Sequence, residues 1–273
     1  MKTRAITGFF FVIVMIASVL LGRHVFDGFY LVLALLCLWE FYGLVKQGTA
    51  RPDSVLGLIM AGFTYAAFNW LEFNPRENFS LIIMGLVVAS MAACATFVTE
   101  LFKRSERPFN NVAYTFMGVI YVMIPFLFFH ALAYVEGDFD FHIPLGFLIM
   151  LWANDTGAYL SGRAFGKTKL FERHSPKKTW EGFIGGVLIA AVAGFVLSRF
   201  YIELSWQHWV SVAVLIGCFG TLGDLVESMF KRSINVKDSG GILPGHGGLL
   251  DRFDGLLLAA PIVYAYLYLI SIF

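Results

Sequence analysis

Long apolar stretches recur along the whole chain and predict an all-α membrane protein. A membrane-spanning helix needs about 20 mostly apolar residues, and stretches of that length alternate with short polar connections. We predict nine spans, at residues 5–22, 27–45, 54–71, 79–102, 110–134, 143–162, 182–200, 207–230 and 255–273. Because the connections are too short for a separate soluble domain, residues 1–273 are expected to form one polytopic bundle.

The composition agrees with this pattern. Hydrophobic residues make up 58% of the chain and charged residues only 14%, and the mean hydropathy is +0.73, whereas soluble domains are about 25% charged. The first apolar stretch follows Lys2 and Arg4, as in a secretory signal. No small-residue cleavage pattern follows Leu21 and eight spans come after it, so we expect a retained helix.

The basic residues predict the orientation of the bundle. With the N-terminus in the cytoplasm, 17 of the 20 Lys and Arg residues lie on the cytoplasmic side, all except Arg23, Arg76 and Arg199. Because an excess of Lys and Arg marks cytoplasmic loops, we predict an extracytoplasmic C-terminus. Loops 163–181 and 231–254 then face the cytoplasm, where nucleotides and magnesium are available.

Several polar residues inside the spans have simple expected roles. Cys37, Cys94 and Cys218 lie within apolar spans and are expected to act as small hydrophobic residues, not as disulfide partners or zinc ligands. Glu40 and Glu100 lie near the cytoplasmic ends of their spans, where they are expected to extend into the lipid headgroup layer.

Asp155 is less easily explained, because it follows Asn154 in the latter part of the sixth span. An aspartate at such a position usually faces the protein interior and has a partner. Two interpretations remain open. Asp155 pairs with an arginine or caps a broken helix, or it contacts a substrate or a metal.

The densest charge lies between the eighth and ninth spans. Asp224, Glu227 and Ser228 share one helix face because they are three and four residues apart. Asp251 and Asp254 are likewise three apart at the start of the ninth span. If the two helices are neighbours, their carboxylates converge, and such oxygen-only donors suit Mg²⁺.

An alternative is that Asp224 and Asp251 simply form ion pairs with Arg232 and Arg252. The intervening loop also contains glycines that allow backbone N–H groups to approach an anion. His246 in this loop is a donor to phosphate, a general acid or a loop hydrogen bonder. The other candidate substrate-binding residues of the loop are Lys231, Lys237, Asp238, Gly247 and Gly248.

The second charged loop, 163–181, also allows two interpretations. As a positively charged cytoplasmic loop, it would contact anionic headgroups. However, a helix is expected to start near Thr179, with Glu181 in its first turn, and Ser175, Lys177 and Lys178 precede it. A helix N-terminus with nearby lysines favours phosphate binding. Together with the carboxylates, these features predict a metal-assisted phosphoryl or nucleotidyl transferase at the cytoplasmic membrane surface.

The motifs in the second half of the chain resemble those of phosphatidate cytidylyltransferases, the CDP-diacylglycerol synthases. The resemblance rests on residues 228–254, with shorter matches at 154–159, 165–167 and 175–182. It covers residues 145–273 specifically and the N-terminal half only in general character. We therefore distinguish catalytic helices, 143–273, from less specific N-terminal helices, 1–142.

The resemblance implies transfer of the cytidylyl group of CTP to phosphatidate, giving CDP-diacylglycerol and pyrophosphate. It implies that Asp224 and Asp251 bind Mg²⁺, and we assign Glu227, Asp254 and Glu181 supporting roles. Lys231 and Arg232 complete the expected catalytic set. A second metal, a monovalent cation and a homodimer are left open.

The expected location is a bacterial-type inner membrane, with membrane lipids around the protein and no nucleic-acid partner. Two alternatives remain. A CTP-dependent polyprenol or phytol kinase would transfer the γ-phosphate and release CDP. A transporter of phosphorylated solutes would also contain buried charges, but the chain lacks paired Gly/Pro-broken spans in two matching halves.

Overall fold

A computed structural model describes residues 2–73, 79–236, 240 and 247–272 and consists almost entirely of helices. A π-helical segment, Val119–Met123, joins the fifth and sixth of them, and short 3₁₀ turns cover Leu132–Tyr134 and Leu250–Arg252. The α-helices are α1 (Lys2–Leu20), α2 (Arg23–Val45), α3 (Ser54–Phe73), α4 (Phe79–Phe102), α5 (Pro108–Gly118), α6 (Ile124–Ala131), α7 (His142–Phe165), α8 (Trp180–Leu197), α9 (Trp206–Ser233) and α10 (Asp254–Ile272).

These helices confirm the prediction of an all-α, multi-pass membrane protein. Within the described ranges each predicted span has its helix, and α5, the π-helical segment and α6 together form the fifth. In the described part of the chain, six helices are long and apolar enough to cross a membrane: Arg23–Val45, Ser80–Phe102, Pro108–Tyr134, Trp180–Leu197, Trp206–Ser233 and Asp254–Ser271. Helix α7, which corresponds to the predicted sixth span, is not among them, and its second half carries Asn154, Asp155 and Arg163.

A small β-hairpin interrupts the helical pattern between α7 and α8. Its strands, β1 (Lys169–Phe171) and β2 (Ser175–Thr179), pair antiparallel with Lys169 opposite Thr179. The sequence pattern did not predict this hairpin. It matters because successive side chains of a strand point to opposite faces, so Lys177 and Lys178 are directed apart.

The chain divides into two compact units. The N-terminal unit contains Met1–Leu127 and Ile234–Leu250, and the C-terminal unit contains Phe128–Ser233 and Asp251–Phe273. The loop between α9 and α10 is therefore shared. Its first part belongs to the N-terminal unit, and its last residues, from Asp251, belong to the C-terminal unit.

The N-terminal unit buries polar groups that we had expected to reach the headgroup layer. Glu100 is only 4% exposed and accepts a hydrogen bond from Asn111 Nδ2 at 3.0 Å. Glu40 is 6% exposed and accepts the backbone N–H of Leu250 at 2.8 Å. The expectation for both glutamates was wrong, because a buried carboxylate is retained where protein donors satisfy it.

The cysteines are free thiols, as predicted. Cys37 is buried, Cys94 is exposed and Cys218 is partly buried. All three lie within helices, where they add apolar surface.

Glycines bring the helices of the C-terminal unit into close contact. A side chain at Gly223 of α9 would collide with the backbone carbonyl of Asp254, and Gly220 faces Gly255 across the same interface. The start of α10 is therefore pressed against α9 one residue before Asp224. This contact places the two acidic helix ends next to each other.

Candidate active site

Asp224 on α9 forms an ion pair with a residue of the hairpin. Lys178 Nζ lies 2.6 Å from Asp224 Oδ2 and 3.5 Å from the carbonyl oxygen of Thr221. Ser228 Oγ donates a hydrogen bond to Asp224 Oδ1 at 3.3 Å, as expected from their spacing on one helix face. The Asp224 side chain is 40% exposed, so a ligand can still reach its carboxylate.

Lys231 connects α9 with the turn before α10. Its Nζ lies 2.5 Å from Asp251 Oδ1 and 3.0 Å from Glu227 Oε2. Glu227 is 1% exposed, and within the described ranges its Oε1 is buried without a hydrogen-bond partner. A buried carboxylate charge is costly unless it is paired. The Lys231 ammonium group therefore stabilises the buried Glu227 and holds the Asp251 carboxylate beside it.

Each of the two aspartates has a lysine partner that was not considered from the sequence. Arg232 lies in the last turn of α9 and Arg252 in the 3₁₀ turn, and both are exposed. The ion pairs considered for these two arginines stay a prediction. Lys178 comes from the hairpin, far away in the sequence, so no local spacing could identify it as the partner of Asp224.

Asp155 and Asp254 add negative charge to this site. Asp155 is exposed on α7, with Asn154 Nδ2 3.5 Å from its Oδ1. It interacts electrostatically with Asp224, Lys178 and Arg252. Asp254, in the first turn of α10, interacts with Asp224, Glu227 and Asp155. The C-terminal unit thus brings together the acidic residues of three helices and the turn. The convergence of α9 and α10 was considered from the sequence, whereas the approach of Asp155 was not.

The start of α8 is stabilised by its own side chains. Helix α8 begins at Trp180, and Thr179 caps it by accepting the backbone N–H of Gly182 at 3.2 Å. Glu181 accepts the backbone N–H groups of Lys167 and Thr168 at 3.1 Å each. Both side chains therefore hold the hairpin onto α8.

The two neighbouring lysines of the hairpin have different surroundings. Lys178 is partly buried against Asp224, whereas Lys177 is exposed and forms no hydrogen bond or ion pair with a residue that the structure describes. Ser175, at the start of β2, is partly buried. The side chain of Lys177 is thus available to a ligand without breaking an existing contact.

Comparison with known proteins places this arrangement in a family. The model of the cytidylyltransferase family matches residues 2–270. The chain belongs to the cytidylyltransferase family. Proteins of this family from Staphylococcus haemolyticus (strain JCSC1435), Staphylococcus aureus (strain COL) and Staphylococcus epidermidis (strain ATCC 12228) are each 35% identical over 268 residues, which cover 96% of this chain and 97% of each relative. All three are named phosphatidate cytidylyltransferase, which confirms the resemblance found in the motifs.

The donor set of the site fits a hard cation such as Mg²⁺. The ligand atoms that its acidic residues offer are all carboxylate oxygens. The buried Glu227 Oε1 has no hydrogen-bond donor in the described part of the unit. Asp224 and Asp251 are each held by a lysine, and in the described part of the chain neither belongs to a group of three possible metal ligands. Among the described residues, the one such group, with ligand atoms within 4.8 Å of one another, is Asp140, His142 and Glu203. These three residues were not predicted as ligands from the sequence, although residues 136–142 before α7 contain three acidic residues and no Lys or Arg.

The other predicted site residues fall outside the C-terminal unit or outside the described residues. Gly247 and Gly248 belong to the N-terminal unit. Gly247 has φ +82°, a conformation that favours glycine, and Gly248 is buried. Lys237, Asp238 and His246 lie outside the described residues, so their assignment remains a prediction.

Proposed function

We propose that this protein transfers the cytidylyl group of CTP to phosphatidate, giving CDP-diacylglycerol and pyrophosphate. Membership of the cytidylyltransferase family and the names of the relatives support the two substrates. The observation that carries the site assignment is the pairing of Lys178 with Asp224 and of Lys231 with Asp251 on adjoining elements of one unit. Cations beside carboxylates suit a reaction between two polyanions.

The reaction is an in-line displacement at phosphorus. A phosphate oxygen of phosphatidate attacks the α-phosphorus of CTP, and the bond from that phosphorus to the bridging oxygen of the β-phosphate breaks. The electron pair leaves with pyrophosphate. Because the attacking oxygen is already negatively charged, no covalent enzyme intermediate is needed, and catalysis consists of positioning and charge stabilisation.

Asp224 and Asp251 are the proposed ligands of Mg²⁺, with Glu227 and Asp254 supporting them. When bound, the ion supplies charge neutralisation and a template for the phosphates. Lys178 and Lys231 already lie against these carboxylates, at 2.6 Å and 2.5 Å. Each ammonium group has three N–H donors, so a lysine that contacts a metal-binding carboxylate can also donate to phosphate oxygens. These two lysines are therefore proposed to hold the triphosphate.

The remaining cationic and polar residues extend this surface. Exposed Lys177, Arg232 and Arg252 are proposed to bind phosphate groups. Asp155 is proposed to contact the substrates or the ion from α7. The excess of Lys and Arg in loops 163–181 and 231–254 supports a site on the cytoplasmic face of a cell membrane, where CTP is available.

Label transfer from CTP distinguishes the proposal from its alternatives. Purified protein in detergent would be incubated with Mg²⁺, phosphatidate, a polyprenol and CTP carrying ³²P in either the α or the γ position. Cytidylyl transfer puts the α label into lipid and the γ label into pyrophosphate. A lipid kinase acting on a polyprenol would put the γ label into lipid, and a transporter would convert neither.

A further inference from the structure

Three metal-ligating side chains meet at the other end of α7 from Asp155. Asp140 precedes α7, His142 is its first residue, and Glu203 lies in the connection between α8 and α9. His142 Nδ1 is 3.0 Å from Asp140 Oδ1 and 2.5 Å from Glu203 Oε1. All three ligand atoms lie within 4.8 Å of one another. All three residues belong to the C-terminal unit.

Among the described residues, the carboxylates of this cluster have only His142 as a possible cationic partner. The side chain of Glu203 is 11% exposed, and its Oε2 is fully buried with no hydrogen-bond partner in the described part of the chain. Among the described residues, neither Asp140 nor Glu203 pairs with a lysine or an arginine.

Two of the three ligands are held in place before any ion binds. The backbone N–H of His142 donates to Asp140 Oδ1 at 2.7 Å. The ring of Tyr201 stacks on the imidazole, with centroids 4.2 Å apart and an interplanar angle of 28°. A histidine that only needed a hydrogen bond would be satisfied by one carboxylate. The second carboxylate, with its unpartnered buried oxygen, is explained by a cation.

We propose that Asp140, His142 and Glu203 form a binding site for one divalent transition-metal ion of the zinc class. One imidazole nitrogen with two carboxylate oxygens is a donor set that zinc accepts in proteins, whereas Mg²⁺ prefers oxygen alone. The site is separate from the candidate active site, because 13 residues of helix between His142 and Asp155 span about 20 Å. A bound ion ties the start of α7 to the α8–α9 connection and so stabilises the unit.

Calorimetric titration of the purified, tag-free protein with ZnCl₂ tests this site. Millimolar Mg²⁺ would be present throughout, so that the candidate active site does not compete for zinc. We expect one zinc ion per chain, and an apparent melting temperature that rises by several degrees on zinc addition. The same titration of Asp224→Asn should give unchanged stoichiometry, because Asp224 belongs to the other cluster.

The variants His142→Gln and Glu203→Gln should each lose the stoichiometric zinc and the rise in melting temperature. His174→Gln is the matched control, since His174 lies in the hairpin away from the cluster, and it should bind zinc like the unmodified protein. The Glu203 variant keeps the histidine, so it separates a three-ligand site from adventitious binding to an imidazole. No stoichiometric zinc binding by the unmodified protein, or equal binding by Glu203→Gln, would overturn the proposal and leave a hydrogen-bonded histidine.

Discussion

Lys178 Nζ lies 2.6 Å from Asp224 Oδ2, so the hairpin before α8 is joined directly to the acidic end of α9. This ion pair links loop 163–181, which the sequence predicts to bind phosphate, to an aspartate of α9 that is predicted to bind a metal. A lysine that touches a proposed metal ligand acts on the reacting phosphates, whereas a lysine that only faces lipid headgroups does not. The contact therefore makes the role of the hairpin testable.

Replacing Lys178 by Gln is expected to lower the rate of CDP-diacylglycerol formation at least tenfold. A charge-assisted hydrogen bond is worth about 1.5–3 kcal/mol, which corresponds to roughly ten- to hundredfold in rate. Lys177→Gln should also lower the rate, but less, because the exposed Lys177 has no contact with Asp224. Steady-state kinetics with CTP and phosphatidate measure both effects.

Arg104→Gln is the control for the loss of a positive charge. Arg104 is exposed and lies outside all the motifs, so its loss should leave the rate nearly unchanged. Lys103 is unsuitable as a control because it pairs with Asp53 at 3.0 Å and with Glu100 at 3.3 Å. Equal losses in Lys178→Gln and Arg104→Gln would favour simple binding of headgroups by the basic loop.

Glu227→Gln is expected to give an intermediate loss of activity. Gln keeps the shape of the side chain but removes one of the two negative charges that hold Lys231. Lys231 would then pair with Asp251 alone and compete more strongly for that carboxylate, so we expect a higher Mg²⁺ concentration for half-maximal rate. Magnesium titrations of the rate test this. An unchanged magnesium dependence would remove Glu227 from the supporting role.

Gly223→Ala tests whether the approach of α9 and α10 matters for the site. The added methyl group would collide with the backbone carbonyl of Asp254, so the start of α10 must move away from Asp224. We expect a rate at least tenfold lower and a lower melting temperature. Gly62→Ala is the matched control, because a side chain there meets nothing within 4 Å. Similar behaviour of the two variants would contradict the close approach.

The distribution of Lys and Arg predicts the orientation of the chain. With an odd number of spans and a cytoplasmic N-terminus, Phe273 is expected on the extracytoplasmic side. Alkaline phosphatase fused after Phe273 should be active, and a fluorescent protein that folds only in the cytoplasm should remain dark. The reverse pattern would mean that the number of spans is even.

The helices could be predicted from the sequence because hydrophobic length is a local property. Even the start of α8 was found, since Thr179 has the side chain of a helix cap. The pairing of Lys178 with Asp224 could not be predicted in this way, because it depends on how the hairpin packs against α9. The same holds for the cluster around His142, whose third ligand comes from a different connection.

The errors concern buried charge. Glu40 and Glu100 were expected to extend to the headgroups, but distant partners in the fold satisfy both of them. A hydropathy pattern indicates where a charged residue lies within a span. It does not indicate which hydrogen-bond donors the fold places beside that residue. The pairing of Asp224 with Lys178 and of Asp251 with Lys231 was missed for the same reason, since neither lysine was considered as a partner from the sequence.

The activity of Asp224→Asn and Asp251→Asn measures the central claim most directly. Asn keeps the size of the side chain but removes the charge that binds a hard cation, so each variant should be produced and folded normally and lose nearly all Mg²⁺-dependent synthesis of CDP-diacylglycerol. The double variant should be scarcely worse than either single one, because the two aspartates act as a unit. Near-normal turnover of CTP and phosphatidate by Asp224→Asn would contradict the assignment and the placement of the active site.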